Sequence, residues 1–186
     1  VNAVDAIGEC GYSGDDTLSL IDWLSTTAID FHNDFILRGE ASWLEHALPP
    51  LHNRWAVGPD AVVGSLVLAL DHIAMAIAGR AKGSELWAAA SAKVCKTALF
   101  FLDKDDDYQH QFTHARAPVL AAEALGNLAL HDVSRALPAP LVAQVVDQLQ
   151  TTVADPGTSA RLYAPVLECL RRIVVCRPPE NLNCGH

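Results

Sequence analysis

The residues best equipped for chemistry cluster in one short stretch. Asp103, Asp105, Asp106, Asp107, His110 and His114 follow one another closely. His110 and His114 stand four apart, so on a helix they share one face and could grip a single metal ion, with Asp107 as a further ligand. Imidazole and carboxylate together suit zinc or non-haem iron. The hydrolytic H-E-x-x-H arrangement is missing, because the stretch reads His110-Gln111-Phe112-Thr113-His114. The paired Glu-x-x-His of helical di-iron sites is missing too. A calcium loop counted from Asp103 fails twice: Tyr108 stands where glycine is needed, and His114 where a bidentate glutamate is needed. The expectation is no bound metal and no cofactor, with the acids complementing a helix N-terminus and the histidines at the surface. A metal-dependent helical enzyme using His110, His114 and Asp107 is the alternative.

Other polar groups are weaker candidates. Asp30, His32 and Asp34 lie two apart and point to different sides of a helix, so they read as polar positions of an amphipathic helix. Asp71 and His72 interrupt an apolar run, and a buried Asp or His must be hydrogen-bonded or paired. They are expected to face a neighbouring backbone or a groove, where Asp71 would meet a basic partner. Cys176, Cys184 and His186 fit no standard zinc spacing. No phosphate loop and no nucleophile elbow occur. Arg171, Arg172 and Arg177 form the only basic cluster, expected to complement the C-terminal end of a helix. Trp23, Trp43, Trp55 and Trp87 all fall in the first half, as core residues or as partner anchors.

The elements that carry these residues read as helices. No stretch alternates apolar and polar residues over a useful length, and Pro and Gly fall between apolar runs of helical spacing. Helices are expected over 18–37, 41–48, 59–79, 85–102, 106–116, 118–130, 140–153 and 159–175, the last with a break at Pro165. That gives eight or nine helices in one domain over 1–176, followed by a loose tail over 177–186. The runs 61–79 and 88–102 are apolar nearly all round and must be covered on both sides. Ala61 to Gly79 approaches the length of a membrane span, but Asp71 near its middle costs about 2.5–3.5 kcal/mol for insertion, so a buried helix is expected instead.

Composition narrows the class. Of 186 residues 51% are hydrophobic and 19% charged, and the net charge is -9. That supports a real core and opposes nucleic acid and anionic membrane surfaces. Residues 1–93 hold 5 basic and 12 acidic side chains, a net -7, against a net -2 for the remainder. The first half would therefore prefer a basic partner. Five widely spaced cysteines do not form a disulfide framework, which points to a reducing, intracellular location. Residues 1–10 lack a basic start and do not read as a signal peptide; a removed transit peptide would leave no trace, so cytoplasm or an organelle both fit.

Weak internal similarity adds an architecture. Ala117-Pro118-Val119-Leu120 recurs as Ala164-Pro165-Val166-Leu167, an offset of 47, and Ala47-Leu48-Pro49-Pro50-Leu51 is echoed near 136–141. Both offsets fit a helical unit of about 45 residues. The stretch Ala121-Ala122-Glu123-Ala124-Leu125-Gly126-Asn127-Leu128-Ala129 resembles the second helix of an armadillo repeat, and Ala136 to Leu149 resembles the third. The match is best over 117–153, while 15–58 lacks the signature. The resemblance implies an armadillo- or HEAT-like α-solenoid of about four units that binds partner proteins along a helical face. In armadillo proteins the Asn at this place often contacts the bound peptide, which carries over to Asn127. The expectation is an all-α, non-catalytic interaction module, a scaffold, adaptor or accessory subunit. Its candidate partner-binding residues are Asn127, Asp71, Glu123 and Trp87.

Overall fold

The computed structural model describes residues 14–37, 59–81, 85–105, 116–131 and 137–176. Among these, six α-helices and one π-helical segment account for the regular structure, and no strand occurs. The helices are α1 (Gly14–Phe31), α2 (Pro59–Ala81), α3 (Glu85–Asp103), α4 (Ala117–His131), α5 (Ala139–Ala154) and α6 (Ala160–Cys176). The fold is all-α. The helices expected at 41–48 and 106–116 and the tail at 177–186 lie outside the described residues.

Local chemistry explains most boundaries. Proline opens α2 and stands in the first turn of α4 and α5, where its missing N–H breaks no intrahelical bond. In α5 the Pro138 carbonyl accepts from the Leu141 and Val142 amides at 2.9 and 3.1 Å. The turn into α6 is fastened by Asp155, whose carboxylate accepts from the Gly157 amide at 2.8 Å and whose carbonyl accepts from the Thr158 amide at 3.1 Å. Buried Asp105, just past the end of α3, accepts from the Ser159 amide at 3.1 Å and ties that turn to the third helix.

Three features differ from the sequence expectation. The first helix starts at Gly14, four residues before Leu18. The first helix does not run regularly to residue 37: after Phe31 it widens into a π-helical segment, His32–Leu37. The widening falls where His32 is fully buried and meets Phe100 and Phe101 edge-on, with ring centroids 5.4 and 5.9 Å away. His32 is thus a core residue rather than a solvated position of an amphipathic helix. Asp30, two residues earlier, is exposed. The last helix continues through Pro165 without a break. Four buried side chains at three- and four-residue spacing, Leu162, Val166, Cys169 and Ile173, hold it against the core on both sides of the proline.

Packing places the helices in two rows. Helix α4 lies between α2 and α6, packed against both, and α3 lies between α1 and α5. Across the rows α1 meets α2, α3 meets α2 and α4, and α5 meets α6. The core between the rows centres on Trp87, Phe31, Phe101, Ile21, Leu70 and Leu128. No described helix is long and apolar enough to cross a membrane.

Candidate functional site

The row α2–α4–α6 carries a chain of polar side chains across its three helices. Asn127, half-buried on α4, donates from Nδ2 to Asp71 Oδ2 of α2 at 2.9 Å. Its Oδ1 accepts from Arg172 Nη1 of α6 at 2.8 Å. Arg172 also donates from Nε to Glu168 at 2.8 Å, and Glu168 receives Arg171 through two bonds of 2.7 Å. One amide therefore joins an acid on one flank to a base on the other.

Glycine makes this reach possible. Gly126 leaves open the space where a Cβ would meet Arg172 Nη1 at 3.3 Å, Arg172 Cδ at 3.4 Å and the Cys169 Cα at 3.6 Å. The arginine lies over that gap and crosses α4 to its neighbour Asn127. Beside it a groove of about 250 Å³ opens between α4 and α6, lined by Glu123, Gly126, Asn127, Pro165, Glu168 and Arg172 among others. Pro165 has no N–H to give the Arg161 carbonyl one turn back, so the groove wall of α6 is short of a donor there.

The charges along this chain are not equivalent. Asp71 is only 6% exposed, and burial raises its pKa against the lowering influence of Asn127, His72, His131 and Arg172. Its Oδ1 has no hydrogen-bond partner among the described residues. Glu168 behaves oppositely: hydrogen bonds from Arg171 and Arg172 pull its pKa down to about 2. Burial pushes the thiols of Cys95 and Cys169 up to about 12, so neither is a ready nucleophile. A second cavity, lined by Cys95, Leu128, Val145, Ile173 and Cys176, measures about 20 Å³. It is near the size of one water and has too few polar partners to hold it.

No protein-family model, no curated protein and no solved structure matches the chain. The site is therefore read from its own geometry.

That geometry sorts the four candidate residues. Asn127 and Asp71 are brought together by a direct hydrogen bond. Glu123, one helical turn before Asn127, is exposed on the same side of α4 and lines the groove. Trp87 is separated from them: it is completely buried in the core and offers no surface to a partner. Asp71 faces a side-chain amide rather than a neighbouring backbone, and His72 is exposed. His110, His114 and Asp107 lie outside the described residues, as do Cys184 and His186. Among the described residues no group of three or more His, Cys, Asp or Glu could hold a metal ion.

Sequence reasoning passed over Glu168, Arg172 and Gly126 as members of one site. The four-residue spacing of Glu168 and Arg172 is the signal that could have linked the first two. Arg171 and Arg172 serve the Glu168 carboxylate rather than the helix end expected for them. No local signal announces that Arg172 crosses to Asn127, 45 residues earlier.

Proposed function

We propose that this chain is a non-catalytic protein-interaction module, a scaffold, adaptor or accessory subunit, built as an armadillo- or HEAT-like stack of helical pairs. The supporting observation is the packing order. Among the described helices, α2, α4 and α6 pack in series, and α1, α3 and α5 pack in series beside them. Exposed Leu68 lies one turn before Asp71 on α2, exposed Leu130 one turn after Asn127 on α4, and exposed Glu123 lines the α4–α6 groove with Asn127. Apolar positions rimmed by polar ones are what a protein partner covers. The partner is a protein segment, basic by preference because of the acidic first half, and it uses the groove edge at Glu123 and Asn127.

Affinity capture followed by native mass spectrometry tests this reading, using the wild-type chain beside folded Glu123→Lys and Leu130→Asp variants. The expected result is a partner chain recovered with the wild type and lost with both variants. Unchanged recovery by both variants would move the binding face elsewhere. A lone chain carrying stoichiometric zinc or iron would replace this reading with the metal-dependent one at His110 and His114.

A further inference from the structure

Between α5 and α6 the chain turns through Asp155, Pro156 and Gly157, all three exposed. The carbonyl oxygen of the Asp155–Pro156 peptide link accepts two hydrogen bonds there. The Thr158 amide donates to it at 3.1 Å, which is the ordinary closure of a β-turn. The Tyr163 hydroxyl reaches back from α6 and donates to the same oxygen at 3.2 Å, which no turn requires.

The Asp155 carboxylate is folded back over that link. Its Oδ1 accepts from the Gly157 amide at 2.8 Å, closing a small ring through Asp155 and Pro156. Its Oδ2 has no hydrogen-bond partner among the described residues. When an aspartate carboxylate attacks its own carbonyl carbon, a five-membered ring forms. Nucleophiles tethered this closely act at effective molarities on the order of 10⁵–10⁸ M. The leaving group is also favourable. A proline nitrogen carries an extra alkyl substituent, is more easily protonated than other amide nitrogens, and lies open to solvent in this turn.

We propose that Asp155–Pro156 is a self-cleaving peptide bond, with the Thr158 amide and the Tyr163 hydroxyl as its oxyanion donors. Asp155 Oδ2 adds to the Asp155 carbonyl carbon. Negative charge builds on the carbonyl oxygen, where both donors already point, and hydrogen bonds to a forming anion strengthen. The carbon–nitrogen bond then breaks, and the Pro156 nitrogen leaves as a secondary amine with a proton from the solvent. Water opens the cyclic anhydride left on Asp155, so the net change is the addition of one water. The products are a chain ending at Asp155 and a chain beginning at Pro156. None of the residues of the partner face takes part, so this proposal stands apart from that one.

Intact-mass spectrometry of the full chain in mildly acidic buffer tests it, beside the same chain unfolded in guanidinium chloride at the same pH. Circular dichroism confirms the fold of the first sample. Fragments 1–155 and 156–186 are expected to accumulate at least about tenfold faster from the folded chain. Folded Tyr163→Phe is expected to lose about 10²-fold in that rate, with cleavage of its unfolded form unchanged. Asp155→Glu, whose attack needs a larger ring, is expected to keep the link intact. Cleavage as fast in the unfolded chain as in the folded one would overturn the proposal, since the link would then have only the lability of any aspartyl–prolyl bond. An intact folded chain, or an unchanged rate in folded Tyr163→Phe, would overturn it as well.

Discussion

At the scale of single residues, the polar chain across α2, α4 and α6 contains two acids with opposite pH behaviour. Burial of Asp71 sets its folded-state pKa above the unfolded value of about 3.9, and its Oδ1 finds no partner among the described residues. The folded state then binds the proton more tightly than the unfolded state. Its contribution is present below the unfolded pKa and is lost as pH rises through the raised one. Asp71→Asn removes that dependence, and urea denaturation series should show the variant gaining on the wild type as pH rises above the unfolded value. Glu168 has its folded pKa at about 2, below the unfolded value of about 4.3. Its contribution is present above the unfolded pKa and lost as pH falls toward the folded one. Glu168→Gln should therefore flatten the loss of wild-type stability between about pH 5 and pH 2. The link between the two ends is Asn127. Asn127→Ala would leave the buried Asp71 carboxylate with neither oxygen paired by a side chain, and equilibrium unfolding should show a loss of about 1–3 kcal/mol.

At the scale of elements, the decisive feature is how α6 tolerates a proline in its interior. An interior proline removes one backbone hydrogen bond and crowds the preceding turn, at about 3 kcal/mol in an ordinary helix. Burial of Leu162, Val166, Cys169 and Ile173 offsets this and keeps the helix continuous. Pro165→Ala should raise stability by about 1–3 kcal/mol in a thermal or urea melt, since it returns a donor to the Arg161 carbonyl. If partner capture weakens in the same variant, the proline shapes the groove; if capture is unchanged, its role is confined to α6. The π-helical turn after α1 is comparable. Apolar spacing over Leu18–Leu37 reads as one uninterrupted helix, yet fitting His32 against Phe100 and Phe101 goes with a wider turn there.

At the scale of the whole molecule, α4 is the hub, because it packs against α2, α3 and α6 while lying in the row that carries the polar chain. Its Ala-rich sequence, with Gly126, suits that place: small side chains let three neighbours approach. Behind it, Trp87 of α3 is the largest wholly buried side chain among the described residues. Trp87→Ala should cost about 3–5 kcal/mol, a large share of the 5–15 kcal/mol available to a domain. Circular dichroism should show a strongly lowered melting temperature or an unfolded chain. A near-native melt would mean that the surrounding helices collapse to fill the space.

Much of the fold could be read before any coordinates. Prolines at 59, 118 and 140 mark helix starts within a residue or two of the observed ones, since a residue without an N–H is harmless only in a first turn. The all-round apolar character of 61–79 and 88–102 required helices covered on several sides, and α2 and α3 are both largely buried. Asp71 and Asn127 could each be singled out, one as a charge in an apolar run and the other by its place in an armadillo-like stretch. What the sequence by itself determined was thus local: helix identity, most boundaries and the residues too polar for their surroundings. Tertiary structure alone decided that Trp87 goes inside while Trp23 stays out, that Asp71 meets Asn127 rather than a backbone, and that Arg172 passes over Gly126 to join them. Those outcomes depend on which helices become neighbours across dozens of residues. Helical periodicity states which side of a helix is apolar, but it does not say which other helix will cover it.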